Sequence, residues 1–235
     1  SGNTGHTVTE NGNAQRETEQ EFKLATDGVG YFLDGTGDYL STPDHADWDL
    51  TGDFTFEMFV YFNVINNDNT MFTHHEDANN YQRLMYDNAN TKFQYTARDA
   101  ASTVVNVGAD IALNPFTWYH IAIVRSTNTY YMFVDGVDYV NSGSPDSDSP
   151  GTHSGDLVIA GGAAGADPIN GYIDEVRISN TARYTSGFTP TTTQFTSDAN
   201  TKLLIHCGET KTGTTGSGAT FTDSGNTGHT VTENG

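Results

Sequence analysis

The chain has little of several residue types, and each shortage excludes a class of protein. A single cysteine, Cys207, among 235 residues rules out an internal disulfide bond, so stability must come from the core, from bound metal or from neighbouring chains. Ten basic residues stand against 30 acidic ones, which gives a formal net charge of −20. Such a surface repels nucleic acid and anionic lipid but suits divalent cations. No apolar run approaches the length of a membrane span, so we expect no membrane insertion.

Leucine, alanine, glutamate and lysine are scarce, which disfavours long helices, whereas the abundant glycine, threonine, asparagine, aspartate and serine favour strands joined by turns. In FTFEMFVYFN, Phe54, Phe56 and Met58 share one face, and Thr55 and Glu57 share the other. Further predicted strands are TWYHIAIVRS, TYYMFVDGVDYV, GDLVIAGG and GYIDEVRIS, with KFQYTAR and KLLIHCGE as weaker ones. Strands at this spacing, separated by turn clusters, predict an all-β sandwich that fills the chain as one domain.

Five segments in order resemble laminin-G-like domains of the concanavalin A-like lectin/glucanase superfamily. They are YFLDGTGDYLSTPD, DFTFEMFVYF, WYHIAIVR, YMFVDGVDYV and GYIDEVRISNTARY, and the resemblance runs from about residue 6 to residue 190. It implies an all-β jelly-roll sandwich of two curved antiparallel sheets. Such domains often occur as repeats in secreted adhesins and phage structural proteins, so the resemblance also implies an extracellular, cell-surface or virion location.

The twelve residues SGNTGHTVTENG stand at 1–12 and again at 224–235, an offset of 223 residues. Repeats of that length are whole domains, so the duplication predicts one unit of a tandem array. A strand that precedes this segment in the family resembles KLLIHCGET at 202–210. We therefore assign residues 1–200 to the sandwich and residues 201–235 to a strand and linker resembling the start of the next repeat.

Two identical segments would compete for one position in a sandwich. If the second copy reaches a neighbouring domain, strand exchange between copies of the protein builds a head-to-tail filament. The alternative is that the chain contains slightly more than one unit of a tandem array, so that the extra copy of the segment has no role.

LDGTGDYL places Asp34, Thr36 and Asp38 at alternate positions on a glycine-rich turn. Their oxygens could converge on calcium, which takes several oxygen ligands. The alternative is that the aspartates make turn hydrogen bonds to backbone amides.

YIDEVRIS supplies a further carboxylate for the calcium site. Asp174 shares a face with Val176, so the alternation points it inward, where a carboxylate needs a partner. In related domains this strand lies close to the LDGTGDY segment, which implies that Asp174 could complete the calcium site. Glu175 is then expected to face solvent and to pair with Arg177.

The segment THHEDANNYQ is predicted as an acidic loop after a strand ending at Phe72. Its position resembles the calcium loop of pentraxins, with GGAAGADPIN at 161–170 as the partner loop. This resemblance implies that the rim of the sandwich binds a ligand or a second cation. The rim residues would be Asp77, Asn79, Asn80, Asp167 and Asn170, and Tyr81 would stack on the ligand. The alternative is an ordinary solvated loop. His74 and His75 are adjacent and would point to opposite faces of a strand, so we expect no zinc site from the pair.

Catalytic motifs are missing from the sequence. Glycosidases of the superfamily carry E-x-D-x-E along one strand, which this chain lacks, and G-x-S-x-G and H-E-x-x-H are also absent. Trp118 and His120 are interpreted as structural, and Cys207 as a buried apolar residue. The sequence therefore predicts a non-enzymatic adhesion or structural module stabilised by calcium. The alternatives are a calcium-dependent lectin that binds surface glycans and, against the motif evidence, a glycosidase.

Overall fold

A computed structural model describes residues 9–11, 15–17, 30–140, 144–145, 148–207, 220–225 and 230–232. In chain order the strands are β1 Thr9–Asn11, β2 Gln15–Glu17, β3 Gly30–Asp34, β4 Tyr39–Thr42, β5 Phe54–Phe62, β6 Asn69–Asp77, β7 Asn80–Asp87, β8 Lys92–Asp99, β9 Ser102–Asp110, β10 Trp118–Ser126, β11 Thr129–Val134, β12 Val137–Asp138, β13 Ser144–Pro145, β14 Leu157–Ile159, β15 Asn170–Ser179, β16 Thr201–Ile205, β17 Thr220–Thr222 and β18 Thr230–Thr232. Short 3₁₀ helices span Ala46–Trp48 and Ala163–Gly165.

Two antiparallel sheets form the body of the domain, as the sequence predicts for a jelly-roll sandwich. One sheet has the order β1-β4-β14-β6-β7-β8-β9, and the other has the order β12-β11-β10-β5-β15-β3-β2, with β16 added beside β15 and β13 beside β11. A separate hairpin pairs β17 with β18. None of the helices in the described parts of the chain has the length and apolar character needed to cross a membrane.

The main core lies between the two sheets, where the alternation of β5 directs its apolar side chains. Phe56 and Met58 of β5 are fully buried there, and the Phe56 ring lies 4.1 Å from that of Phe72 on the opposite sheet. Ile121 and Val176 are also fully buried. Trp118 is not among the most buried residues, because it lies on the outer face and packs there against Phe59, Phe195 and Leu204.

The outer face of the nine-stranded sheet carries a buried polar cluster around Glu57. One carboxylate oxygen accepts hydrogen bonds from Arg177 Nε and Nη2 at 2.8 and 2.6 Å, and the other accepts one from the Tyr184 hydroxyl at 2.9 Å and lies 3.1 Å from His120 Nε2. Burial alone would raise the pKa of Glu57, but the His120 hydrogen bond and the Arg177 charge lower it. These contacts give His120 the structural role that the sequence predicts.

A β-bulge in β15 corrects the predicted orientation of Asp174 and Glu175. The register with β5 shifts between Asp174 and Arg177, and Glu175 has a left-handed backbone with φ 51°. Asp174 therefore pairs with Phe59 on the outer face and does not share the inward face of Val176. Glu175 is 1% exposed, so it does not face solvent.

The side-chain partners of Glu175 are also different from those predicted. Its carboxylate accepts a hydrogen bond from the Phe195 amide at 2.7 Å and lies 2.6 Å from His206 Nδ1. The predicted partner Arg177 binds Glu57 instead. The extra residue of the bulge thus turns Glu175 toward residues 195–206 of the outer layer.

Two further segments differ from their predicted positions. The predicted acidic loop at 73–82 is a hairpin, since β6 continues to Asp77 and a two-residue turn leads directly into β7. Thr201–Ile205, which we assigned to a following repeat, pairs with β15 and contributes Leu203 to the same core. Cys207 is 1% exposed in that core, as predicted. The start of the first copy and residues 208–210 of KLLIHCGET lie outside the described residues.

Candidate functional site

Two adjoining clefts lie beside the loop that joins β14 to β15, and Asp167 lines both. The larger, which we call the acidic cleft, has a volume of about 770 Å³. Carboxylate and amide side chains dominate its lining, among them Asp34, Asp68, Asn69, Asn88, Asp167 and Asn170. The smaller, which we call the ring cleft, has a volume of about 310 Å³ and holds aromatic and cationic side chains.

The Asp34 turn forms one wall of the acidic cleft. The Asp34 amide donates to Asp38 Oδ2 at 2.8 Å, and the Thr36 amide donates to Asp34 Oδ1 at 2.7 Å. Asn170 Nδ2 donates to the Asp34 carbonyl at 2.8 Å, which fixes β15 to the turn. Gly35 has φ 83°, and a Cβ there would lie 2.8 Å from that of Asn170, so this position requires glycine.

The four residues predicted to bind calcium together do not converge. Asn170 is the cross-strand partner of Asp34, so Asp174 lies four residues further along β15, about 13 Å away at the rise of a strand. Asp38 is fully buried beneath the turn, where it binds the Asp34 amide. The structure instead brings Asp34 and Thr36 together with Asp167 and Asn170, which the sequence placed in a separate rim.

Asn69 gives the acidic cleft a buried oxygen without a hydrogen bond. The residue is 4% exposed, its Nδ2 donates to the Pro168 carbonyl at 2.9 Å, and its Oδ1 has no partner. An unsatisfied buried acceptor costs about 1–3 kcal/mol. Within the described ranges no three His, Cys, Asp or Glu side chains converge as a metal site. A cation in this cleft would therefore need amide or backbone oxygens besides carboxylates, and calcium accepts such ligands.

The ring cleft is built on one row of residues across three neighbouring strands. His75 on β6 pairs with Tyr81 on β7, which in turn pairs with Arg98 on β8. The His75 and Tyr81 rings are stacked, with centroids 5.9 Å apart and planes 21° from parallel. Arg83 is two residues further along β7, on the same face as Tyr81, and its guanidinium lies 5.8 Å from the centre of the Tyr81 ring. Arg83 Nη1 also lies 3.6 Å from Asp167 Oδ2. The row thus presents two rings with a cationic group on each side.

The β6–β7 turn holds this row in place, and Ala78 is the residue of the turn that lines the ring cleft. Asp77 Oδ1 accepts from the Asn79 amide at 2.7 Å and from Asn80 Nδ2 at 3.1 Å. The hydrogen bond from the Asn79 amide, with that from Asn80, lowers the pKa of Asp77. Arg98 donates to the carbonyls of Ala78 and Ala101 at 3.0 and 2.8 Å. Asp77, Asn79 and Asn80 therefore position Tyr81, and of the predicted rim residues only Tyr81 and Asp167 line the ring cleft.

The loop at 160–167 that closes the ring cleft has an unusual backbone. Ala160, Ala164 and Asp167 have φ values of 63°, 54° and 49°. Such conformations are costly for residues other than glycine, and they cluster at ligand sites, where the surrounding structure holds them. The Asp167 carbonyl accepts from the Thr70 amide at 2.9 Å, which anchors the loop to β6.

His75, Arg83 and Arg98 were not predicted as residues of the site. NYQRLMYD was not predicted as a strand, because its first residues were assigned to the acidic loop. Read with period two, Tyr81 and Arg83 fall on one face and Gln82 and Leu84 on the buried one, as the structure places them. That alternation is the signal that could have found the row.

Solved structures share this fold at low sequence identity, which establishes similarity of fold alone. A Bacteroides ovatus ATCC 8483 protein with a suggested carbohydrate-binding role is 16% identical, with a TM-score of 0.52 over 92% of this chain and 56% of its own length. Domain 4 of AbnA, a GH43 extracellular arabinanase of Geobacillus stearothermophilus solved with arabinotriose, is 16% identical, with a TM-score of 0.56 over 79% of this chain and 84% of its own.

A third similar structure is the enzymatically active domain of tailspike protein 2 of bacteriophage CBA120. It is 10% identical, with a TM-score of 0.60 over 89% of this chain and 34% of its own length. The chain therefore spans about half of the Bacteroides protein and a third of the tailspike domain. A sequence search of curated proteins finds no match.

A laminin G family model matches residues 34–186, which is most of the chain and includes both clefts. The superfamily that this model represents contains both lectins and glucanases. The chain belongs to the concanavalin A-like lectin/glucanases superfamily.

Proposed function

We propose that this domain is a non-catalytic carbohydrate-binding module that holds a sugar in the ring cleft. The observation that carries the proposal is the row of His75, Tyr81 and Arg98 beside Asp167. Sugar rings have an apolar C–H face and a rim of hydroxyl groups. The two flat rings suit that face, while arginine donors and a carboxylate acceptor suit hydroxyl groups. A volume of about 310 Å³ lies at the lower end of ligand pockets, so we expect about one or two sugar residues to enter.

The absence of catalysis rests on the carboxylates of the cleft. Glycoside hydrolysis needs two carboxyl groups about 5–10 Å apart across the scissile bond. Among the described residues that line the ring cleft, Asp167 is the one carboxylate, and Arg83 lies 3.6 Å from it. A bound sugar would therefore meet one carboxylate, held by an arginine, and no second carboxylate among the described residues of the ring cleft.

Calcium in the acidic cleft is the second part of the proposal. The residues that would hold it are Asp34, Asp167 and Asn69, the last through its unpartnered Oδ1. Bound there, calcium would neutralise carboxylate charge and stiffen the loop that carries Asp167 into the ring cleft. The donor set suits calcium because it consists of carboxylate and amide oxygens.

An extracellular or virion setting accompanies this function. The AbnA domain belongs to an extracellular arabinanase solved with arabinotriose, and the tailspike domain belongs to a bacteriophage. Those properties are theirs, and they support for this chain a role in attachment to glycans outside the cell.

Removal of the Tyr81 ring tests the proposal. We expect a panel of arabino-, xylo-, manno- and gluco-oligosaccharides, measured by calorimetry, to contain a ligand for the full chain. Tyr81→Ala should weaken its binding by about 5- to 150-fold, since loss of a stacked ring costs about 1–3 kcal/mol by analogy with other stacked rings. Phe116→Ala is the matched control, because Phe116 is 68% exposed and lines neither cleft. Equal weakening by both variants, or binding unchanged by Tyr81→Ala, would contradict the site.

A further inference from the structure

Both copies of the duplicated segment reach the same edge of the seven-stranded sheet. Thr9–Asn11 of the first copy forms β1 and pairs with β4, with Thr9 opposite Ser41 and Asn11 opposite Tyr39. Thr230–Thr232 of the second copy forms β18, which lies beside both β1 and β4. Its hydrogen-bonded partner is β17, so it is adjacent to the edge without being part of that sheet.

The second copy is fixed where it begins. The Ser224 amide donates to the Leu204 carbonyl at 2.9 Å, and Asp223 Oδ1 accepts from the amides of Leu204 and Gly225 at 2.9 and 2.7 Å. Ser224 and Gly225 are the first two residues of that copy. These contacts tie the start of the second copy to β16 of the nine-stranded sheet, and β18 of the same copy lies at the edge of the other sheet.

The side of β4 away from β14 needs a partner strand. One side of β4 pairs with β14, and the other pairs with β1. An open edge exposes unpaired amide and carbonyl groups that attract another strand. Because the two copies are identical in sequence, either can pair with β4 with the same contacts. Within one chain the edge is already filled by β1, so the second copy is a spare strand.

We propose that β4 is the acceptor for residues 224–235 of a second copy of this chain. The second copy of one molecule replaces β1 on β4 of the next, by strand addition to a sheet edge. Exchange of identical elements between protomers preserves the pairing contacts, so its cost is mainly that of association. Donor and acceptor are different surfaces, so the contact repeats head to tail and does not close. This assembly is independent of glycan binding.

Disulfide trapping between two full-length variants tests the exchange. Thr232 occupies the place in the second copy that Thr9 occupies in the first, so exchange puts Thr232 of one chain opposite Ser41 of another. Cross-strand partners have Cα atoms about 4.5–5.5 Å apart, within disulfide range. A Ser41→Cys chain is mixed with a Thr232→Cys chain under mild oxidation, and linked dimer is measured on a non-reducing gel.

A register-shifted variant is the control for this experiment. Thr230→Cys carries its thiol on the same segment two residues out of register, beyond disulfide range. We expect roughly tenfold more linked dimer from Thr232→Cys than from Thr230→Cys. A chain with both Ser41→Cys and Thr9→Cys should link within itself, which shows that the Ser41→Cys chain folds with its edge accessible. If that chain links internally while the mixture yields no more dimer than the control, the exchange is wrong, whatever the outcome of the glycan measurements.

Discussion

Two histidines face each other inside the sandwich. His74 is fully buried and His153 is 4% exposed, with ring centroids 5.6 Å apart and planes 75° from parallel. Neither ring nitrogen of His74 has a hydrogen-bond partner, although Asp44 Oδ1 lies 3.4 Å from its Nε2. Burial, with a contribution from His74, lowers the pKa of His153, against the opposing influence of the Pro150 carbonyl, Asp49 and Glu76. A proton on His153 is therefore costly in the folded state.

The lowered pKa of His153 should make the domain acid-sensitive. With a folded-state pKa below the usual 6.5, the unfolded chain takes up the proton first, so the free energy of unfolding decreases as the pH falls below about 6.5. His153→Gln should remove part of that decrease in urea denaturation at about pH 7.5 and 5.5, whereas His75→Gln, on the outer face of the sheet, should retain it. An unchanged pH dependence in His153→Gln would contradict this account of the pair.

Among the strands, period-two alternation separated the two faces of β5 correctly, whereas on β10 the face of Trp118 is the outer one and Ile121 and Ile123 face the core. It failed at β15, because counting residues assumes that no extra residue interrupts the ladder. The bulge at Asp174–Arg177 inserts one, which moves Asp174 to the outer face. The residues DE carry no local signal for a bulge, so only the pairing with β5 reveals it. For the ring cleft, the sequence identified Tyr81 and Asp167. It did not identify His75 and Arg98, because their position beside Tyr81 depends on the register of β6, β7 and β8.

The loops of the acidic cleft carry the calcium prediction. Calcium binding to the folded state alone should stabilise the domain by about 2.7 kcal/mol at 100 times the Kd. Asp34→Asn should abolish that gain, because Asp34 lines the acidic cleft, whereas Asp77→Asn should retain it, because Asp77 lies at the β6–β7 turn outside both clefts. Thermal melting with calcium, magnesium or matched sodium chloride checks this. Equal shifts with calcium and magnesium, or the same loss in both variants, would contradict a calcium site here.

At the scale of the whole molecule, the domain combines a binding face with an edge for assembly. Arg83 and Arg98, two of only ten basic residues in a chain of net charge −20, line the ring cleft. The row across β6, β7 and β8 lies on the outer face of the seven-stranded sheet, and the same sheet ends at β1 and β4. Head-to-tail exchange at that edge would repeat the glycan site along an assembly, which raises avidity without any new contact.

Locating the bound sugar shows directly whether the ring cleft is a carbohydrate site. The measurement is amide chemical-shift mapping of the full chain, titrated with whichever oligosaccharide of the arabino-, xylo-, manno- and gluco- panel binds. We predict that the largest saturable shifts fall at Tyr81, Arg98 and Ala163–Asp167, around the ring cleft. Shifts centred instead on Trp118 and the outer face of the nine-stranded sheet, or no saturable shift with any sugar of the panel, would contradict the assignment of this domain as a carbohydrate-binding module.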